Sequence, residues 1–355
     1  MAKFNTERLK ELTQYAIQGA GFDKLLEMST YMGIRIKDNT LYLNTTDGTN
    51  YLRVSDRCVA DDMDITVDAE LFSKLISKLN SAEVELQLDN NTLIVSGNGK
   101  YTIALQLNEN GELLSFSDKF PVEVETVCTI SAVDVIKIAS AVKASLGSDK
   151  DTPYYNYYFG DVVASTDKAM MSIFNLHPMK ESCLLDRSVI DNMLCSGKDV
   201  TVSKTDNQLI FESSIGEEGL MRLCTVKQSA EGFNVDAIRK FAELDVKSFC
   251  RFKKVEMLNL LDRLALFVTK FEDGVVELHF TDSYVEVSSL SNSGIERVEY
   301  TESKDAEDVT IKINIIRLRN QLKAYNADIV DLYYGNEICI KLVDGDMTQL
   351  IALVK

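Results

Sequence analysis

A Thr-Asp pair closes a strand-like run three times in this chain, at Thr46-Asp47, Thr166-Asp167 and Thr281-Asp282, with intervals of 120 and 115 residues. The runs before the pairs are Thr40-Leu41-Tyr42-Leu43, Val162-Val163-Ala164 and Glu277-Leu278-His279-Phe280. Each copy follows a helix-like stretch and turns into another strand. A unit recurring at near-constant spacing is an internal repeat, and it restricts the chain to architectures that use one supersecondary module several times.

Each third divides again. Residues 6–18 read as an amphipathic helix capped by Thr6, with Leu9, Leu12 and Ala16 on one face. Strand runs over 33–36, 40–43 and 51–54 follow, the first two joined by an Asp38-Asn39 turn. Ile65-Thr66-Val67 leads to an Asp68 cap and a helix carrying Leu71, Leu75 and Leu79. Strands over 84–88, 92–95 and 101–107 come next, with Asp89-Asn90-Asn91 as a hairpin turn. The middle third repeats the scheme, with helices from Ser131 to about Ala144 and from Asp186 to about Leu194, strands over 200–203 and 209–212, and the turn Thr205-Asp206-Asn207. The last third has helices over 254–270 and around Ile315, Leu318 and Leu322, and the turn Tyr334-Gly335-Asn336. The chain thus reads as six half-units of about 60 residues, each one helix and three or four antiparallel strands. Any α+β protein alternates in this way; the shared register of turn, capped helix and Asn hairpin favours three tandem domains, 1–123, 124–246 and 247–355.

Seven cysteines are scattered, with no Cys-x-x-Cys pair and no clustering with His177 or His279. That pattern offers no zinc site and reads as buried free thiols in a reducing compartment. The N-terminal residues lack an apolar signal core, and no 18-residue apolar run exists, so the expected setting is cytoplasmic, without a membrane span.

Net charge is −17, from 38 Lys and Arg against 55 Asp and Glu, which by itself argues against nucleic-acid binding. The charge is unevenly spread. Helix windows 3–18, 69–80, 131–144, 187–198, 254–270 and 314–325 hold 15 Lys and Arg against 7 Asp and Glu, while the remainder holds 23 against 48. Helices gathered on one surface would form a basic track on an acidic body, able to hold a phosphate backbone without reading sequence. For any one helix, an ordinary solvated face explains the charge as well.

A tandem of three two-part helix-and-strand domains resembles the bacterial DNA sliding clamp, the β subunit of the replicative polymerase, over essentially the whole chain. The matching points are Val67-Asp68-Ala69-Glu70-Leu71-Phe72, the run Asp89-Asn90-Asn91-Thr92-Leu93-Ile94-Val95-Ser96-Gly97, and Ala164-Ser165-Thr166-Asp167. The resemblance implies an α+β, ring-forming clamp fold. In it a homodimer closes head to tail around double-stranded DNA and serves as a processivity factor for a DNA polymerase, loaded by a clamp loader. It implies DNA-facing residues Arg8, Lys74, Lys78, Lys137, Lys143, Arg263, Arg317, Arg319 and Lys323, with a tyrosine pair at Tyr154 and Tyr155, for which ordinary strand packing is the alternative. Closure is implied between Tyr101 and Ile103 on one side and Leu266 and Phe267 on the other, the simpler alternative for the last two being a core role.

A partner-peptide pocket is implied at Thr166, Lys168, Met170, Met171, Phe233, Ile351, Leu353 and Val354. Here the chain departs from the family. Where the family has Thr-Asp-Gly-His-Arg-Leu, it reads Thr166-Asp167-Lys168-Ala169-Met170-Met171, and its tail Ile351-Ala352-Leu353-Val354-Lys355 lacks a Met-Pro-Met step. The partner motif is therefore expected to differ, and a phage or mobile-element origin fits the divergence.

No catalysis and no cofactor are expected. There is no Gly-x-x-x-x-Gly-Lys loop and no Gly-x-Ser-x-Gly elbow, and Gly19-Ala20-Gly21 follows a helix rather than a strand. The repeated Thr-Asp pairs fit a hydrogen-bonding role in turns better than a catalytic one. The competing class is an acidic three-domain scaffold that binds protein and never encircles DNA.

Overall fold

The computed structural model describes residues 2–23, 25–175, 179, 181–268 and 273–355. Among them are seven α-helices: α1 Thr6–Ala16, α2 Ala69–Lys78, α3 Ala132–Ser145, α4 Arg187–Cys195, α5 Val235–Ala242, α6 Lys254–Leu264 and α7 Ile315–Ala324. Local sequence explains their starts. Asp68 caps α2 by accepting the Leu71 N–H at 2.7 Å, and Asn314 caps α7 by accepting those of Ile316 and Arg317 at 3.0 and 3.1 Å. The cap of α1 is Asn5, which accepts the Arg8 N–H at 3.0 Å; Thr6, expected in that role, is the first helical residue and is buried. Helix α6 ends at Leu264, short of the expected 270, in a turn through Phe267; Lys270 and His177 lie outside the described residues.

The strands and helices fall into two compact units, 1–135 with 188–227, and 136–187 with 228–355. The first unit holds an eight-stranded antiparallel sheet in the order Met63–Asp68, Tyr31–Lys37, Thr40–Thr46, Asn50–Arg57, Gly219–Val226, Gln208–Ile215, Val200–Lys204, Glu125–Ile130. Two half-units meet in its middle, where Leu52 pairs with Leu223 and Tyr51 with Cys224. A separate four-stranded sheet runs Ala2–Asn5, Glu83–Asp89, Thr92–Ser96, Lys100–Ala104.

The second unit repeats the plan. Its nine-stranded sheet joins two half-units where Met170–Asn175 pairs with Met347–Ala352, Met170 opposite Ile351. Its four-stranded sheet runs Ile295–Glu299, Tyr284–Ser289, Val275–Phe280, Val309–Asn314. Beneath these, Phe252, Met257, Leu260, Leu261, Leu318 and Leu322 form a buried core with Phe280 stacked on Tyr334 at 3.9 Å. Each unit therefore contains one sheet made from two half-units and one half-length sheet with an open edge.

The recurring Thr-Asp turns are hydrogen-bonded devices. Thr46 Oγ1 donates to the Asn50 carbonyl at 2.6 Å and accepts the Gly48 N–H at 3.0 Å. Asp47 Oδ1 accepts the N–H groups of Thr49 and Asn50 at 2.8 and 2.6 Å. The second copy repeats every bond: Thr166 to the Met170 carbonyl at 2.8 Å, Lys168 N–H to Thr166 at 2.8 Å, and Ala169 and Met170 N–H to Asp167 at 2.8 and 2.5 Å. The third is one residue shorter: Thr281 spans to the Tyr284 carbonyl at 2.8 Å, and the Asp282 carboxylate accepts the Ser283 hydroxyl at 3.0 Å.

Candidate nucleic-acid interface and partner surfaces

The basic residues read as DNA-facing divide by their partners. Arg8 is enclosed by acid. Its Nε donates to Asp56 at 2.6 Å, Nη1 to Glu11 at 2.6 Å and Nη2 to the Ile215 carbonyl at 2.9 Å, and the bond to Asp56 raises its pKa further. Lys74 pairs with Glu70 at 2.5 Å, Lys137 with Asp344 at 3.5 Å and Arg319 with Asp262 at 2.5 Å. Arg263 grips both oxygens of Glu296, holding that carboxyl below its usual range. Lys78, Arg317 and Lys323 form no ion pair among the described residues; Lys78, Lys323 and Lys143 are exposed, and Arg317 is half-buried. Part of the helix charge counted in the sequence is thus matched locally. Exposed pairs of this kind stabilise little but do lower the local positive potential.

The tyrosine pair lies in a 3-10 turn, Pro153–Tyr155, just before the strand Tyr157–Phe159 rather than in it. Pro153 fixes the first turn residue and cannot donate to a ladder. The Arg187 guanidinium stacks on Tyr155 at 4.1 Å, and the Lys168 ammonium lies 5.3 Å from the Tyr154 ring centre.

Of the residues read as a partner pocket, several converge. Thr166, Met170 and Ile351 are buried on neighbouring strands, and the Ala352 N–H donates to the Ala169 carbonyl at 2.8 Å. Met171 and Phe233 meet in one apolar cluster with Tyr154, Tyr158, Leu184 and Ile238. Lys168 stands exposed at a left-handed φ of 77°, in the turn position that Gly48 fills at 95° in the first copy. Leu353 packs instead against the core around α6 and α7, and the N–H groups of Leu353 and Val354 bind the Ile338 and Lys312 carbonyls, each at 2.9 Å. Sequence reading missed Tyr158, Ile238 and helix α5 itself, although Asn234 caps it by accepting the Ala237 N–H at 3.0 Å.

On the closure side, Tyr101 is 40% exposed on the open strand Lys100–Ala104, whereas Ile103 is buried and lines a cleft of about 390 Å³ with Leu71, Lys74 and Gln106. In the other unit, Leu266 is 82% and Phe267 49% exposed, so neither belongs to its own domain's core. Gly294 lets Phe267 lie close to the chain leading into Ile295–Glu299: a Cβ there would stand 2.8 Å from Leu264 and 3.3 Å from Phe267.

Chemistry-bearing clusters are sparse. Among the described residues no group of three His, Cys, Asp or Glu is arranged to hold a metal, and no helix is long and apolar enough to cross a membrane. His279, half-buried on the strand Val275–Phe280, contacts Asp308 at 2.8 Å. Four cysteines are buried and three half-buried; burial pushes the Cys128 and Cys224 thiols up to about 11.

Half-units fused through shared sheets, with a half-length sheet left open in each unit, define the class: this is the DNA sliding-clamp fold. The chain matches the DNA polymerase III β chain of Streptococcus pneumoniae with a TM-score of 0.82 over 100% of both chains, at 16% identity. It matches the β subunit from the DNA polymerase of Streptococcus pyogenes with 0.84 over 99% of both, at 14% identity. The DNA polymerase sliding clamp of Pseudomonas aeruginosa gives 0.80 at 13% identity, covering 100% of this chain and 99% of that one. No protein-family model and no curated protein matches the sequence.

Proposed function

We propose that this chain is a DNA polymerase processivity factor, a non-enzymatic cytoplasmic clamp that two copies close around duplex DNA. The observation that carries the reading is the pair of open half-sheets, edged by Lys100–Ala104 in one unit and Ile295–Glu299 in the other. Within each unit, half-sheets of the same kind are already fused strand to strand. The same edge pairing between copies, head to tail, would complete the remaining sheets and remove edges that otherwise invite aggregation. Tyr101 and Ile103 would then meet Leu266 and Phe267. Domains 1–123, 124–246 and 247–355 give six per dimer.

Retention would be topological, so the helices need only weak, sequence-blind attraction to phosphate. Lys78, Arg317 and Lys323, which form no ion pair among the described residues, are the strongest candidates to supply it, while Arg8, Lys74, Lys137, Arg263 and Arg319 are screened by their acids. A polymerase and a clamp loader would engage the surface around Met171 and Phe233. The acidic-scaffold alternative is disfavoured by a fold match spanning the chain to structures described as sliding clamps. Negative-stain electron microscopy of the purified protein at micromolar concentration is the test. A closed six-lobed ring with a hole wide enough for duplex DNA is expected, and particles without a hole overturn the reading.

A further inference from the structure

We propose that the two seams between half-units carry buried polar pairs at different positions, and that this mismatch directs each seam strand to its own mate and away from the other seam's. The repeat register sets the comparison. Counted from Thr46 and from Thr166, the same face of the two seam strands carries Asn50, Leu52 and Val54 in the first unit and Met170, Ser172 and Phe174 in the second. Opposite them stand Thr225, Leu223 and Met221 in the first, and Ile351, Gln349 and Met347 in the second. All of these side chains are buried, none more than 7% exposed. The polar pair comes first in one seam, Asn50 with Thr225, and second in the other, Ser172 with Gln349; the remaining pairs are apolar.

Helix side chains meet each polar pair. In the first seam, Asn50 Nδ2 donates to Asp47 Oδ2 and to Ser188 Oγ on α4, both at 2.8 Å. In the second, the Ser172 hydroxyl is bonded at 2.6 Å to that of Ser145, which ends α3, and Gln321 Nε2 of α7 donates to Ser145 Oγ at 2.7 Å. Gln349 Nε2 donates to Gln321 Oε1 and, at 3.3 Å, to the Gln321 carbonyl. Asn50 Oδ1 and Gln349 Oε1 are left without a hydrogen bond among the described residues, which falls short of what stability alone would ask of a buried network. Exchanging the mates in the same register would set Ser172 against Leu223, Gln349 against Leu52, Asn50 against Ile351 and Thr225 against Met170. Sliding a strand by two residues would align the polar groups with each other but carry them away from the helices that bond them.

Chain order makes such a discrimination necessary. The strand Gly219–Val226 follows two strands of one shape, Asn50–Arg57 and Met170–Asn175, and the second is much nearer to it along the chain. Closing the shorter loop costs less entropy, so proximity favours the wrong mate, yet Gly219–Val226 joins Asn50–Arg57. A buried polar residue that finds its partner in one pairing only is the device by which a coiled coil fixes its register at some expense of stability. Here the same physics separates two seams built from one repeated module.

Two full-length variants test this. Ser145→Ala/Ser172→Ala/Gln321→Met/Gln349→Met makes the second seam apolar with little change of volume, and Asn50→Leu/Thr225→Val does the same to the first. Each is unfolded in urea, refolded at micromolar concentration and examined by sedimentation velocity beside wild type, and its urea midpoint is measured before unfolding. The expected result is a midpoint at or above that of wild type, together with at least a threefold rise in the share of refolded chains found in species larger than wild type's own. Refolding as clean as wild type's in either variant overturns the proposal. A lowered midpoint, or a variant that never folds, overturns it as well, because the polar pairs would then be holding the seams together rather than selecting them. Both seams lie within one chain, so the outcome is independent of whether two copies close into a ring.

Discussion

Gly48 and Lys168 occupy one position of one turn, both at left-handed φ, and show what a single side chain costs there. At Gly48 a Cβ would also stand 3.0 Å from Leu26 Cδ1. We expect Gly48→Ala to lose about 1 kcal/mol in urea melts. Lys168→Gly should be near neutral, since relief of strain is offset by the unfolded chain's added freedom and by loss of the contact with Tyr154. A second comparison concerns α7. Arg319 is matched by Asp262 and Arg317 by no acid among the described residues. Arg317→Glu should therefore shorten retention on DNA more than Arg319→Glu and lower the salt slope by roughly one. An equal loss from both would mean that the Asp262 pair does not survive next to DNA.

Several buried titratable groups lie in the second unit, between residues 250 and 334. Burial pushes the Tyr325 and Tyr334 hydroxyls up to about 12, and raises Cys250 and Tyr300 as well. These groups bind their protons more tightly folded than unfolded. The stability they contribute is complete below about pH 9 and is lost as pH rises toward 12. A melting temperature that falls across that window, in steps with the tyrosinate absorbance, is the expected result; a flat profile to pH 12 would contradict it. Six of the seven helices were legible from caps and apolar spacing, because Asp68 and Asn314 signal their own helices locally. The joining strand Met170–Asn175 was legible only as a strand without bounds after the Thr166-Asp167 turn, since both its faces are largely buried and it shows no alternation. Helix α5 escaped for another reason: the half-unit plan has no place for it, and eight residues give little periodicity. The pocket residues were read from a resemblance, and only the fold reveals that Leu353 turns to one core while Met171 and Phe233 turn to another.

The proposed closure of two copies would depend on surface that one copy leaves open. Tyr101 and Leu266 are exposed, so changing both to Asp should leave each chain folded while disfavouring closure. Sedimentation of Tyr101→Asp/Leu266→Asp is expected to show a dimer dissociation constant raised at least about 100-fold, equivalent to about 2.7 kcal/mol. An unchanged constant would place the contact elsewhere. That these two residues belong to opposite units, each beside an open half-sheet, is visible only once the strands are ordered, because edge status depends on pairing rather than on composition.

The pairing of Met170–Asn175 with Met347–Ala352 also sets an order of synthesis. Every strand of the first unit has been translated by residue 226, so that unit can fold while the remainder is still being made. The segment 136–187 cannot, since its sheet is completed only by the distant strand Met347–Ala352. From the synthesis of residue 175 to that of residue 347 its Met170–Asn175 edge is therefore bare, apolar and unpaired. Nascent chains of this protein should call most heavily on chaperones in that interval, and a ribosome stalled before residue 347 would hold one finished unit and one sticky half.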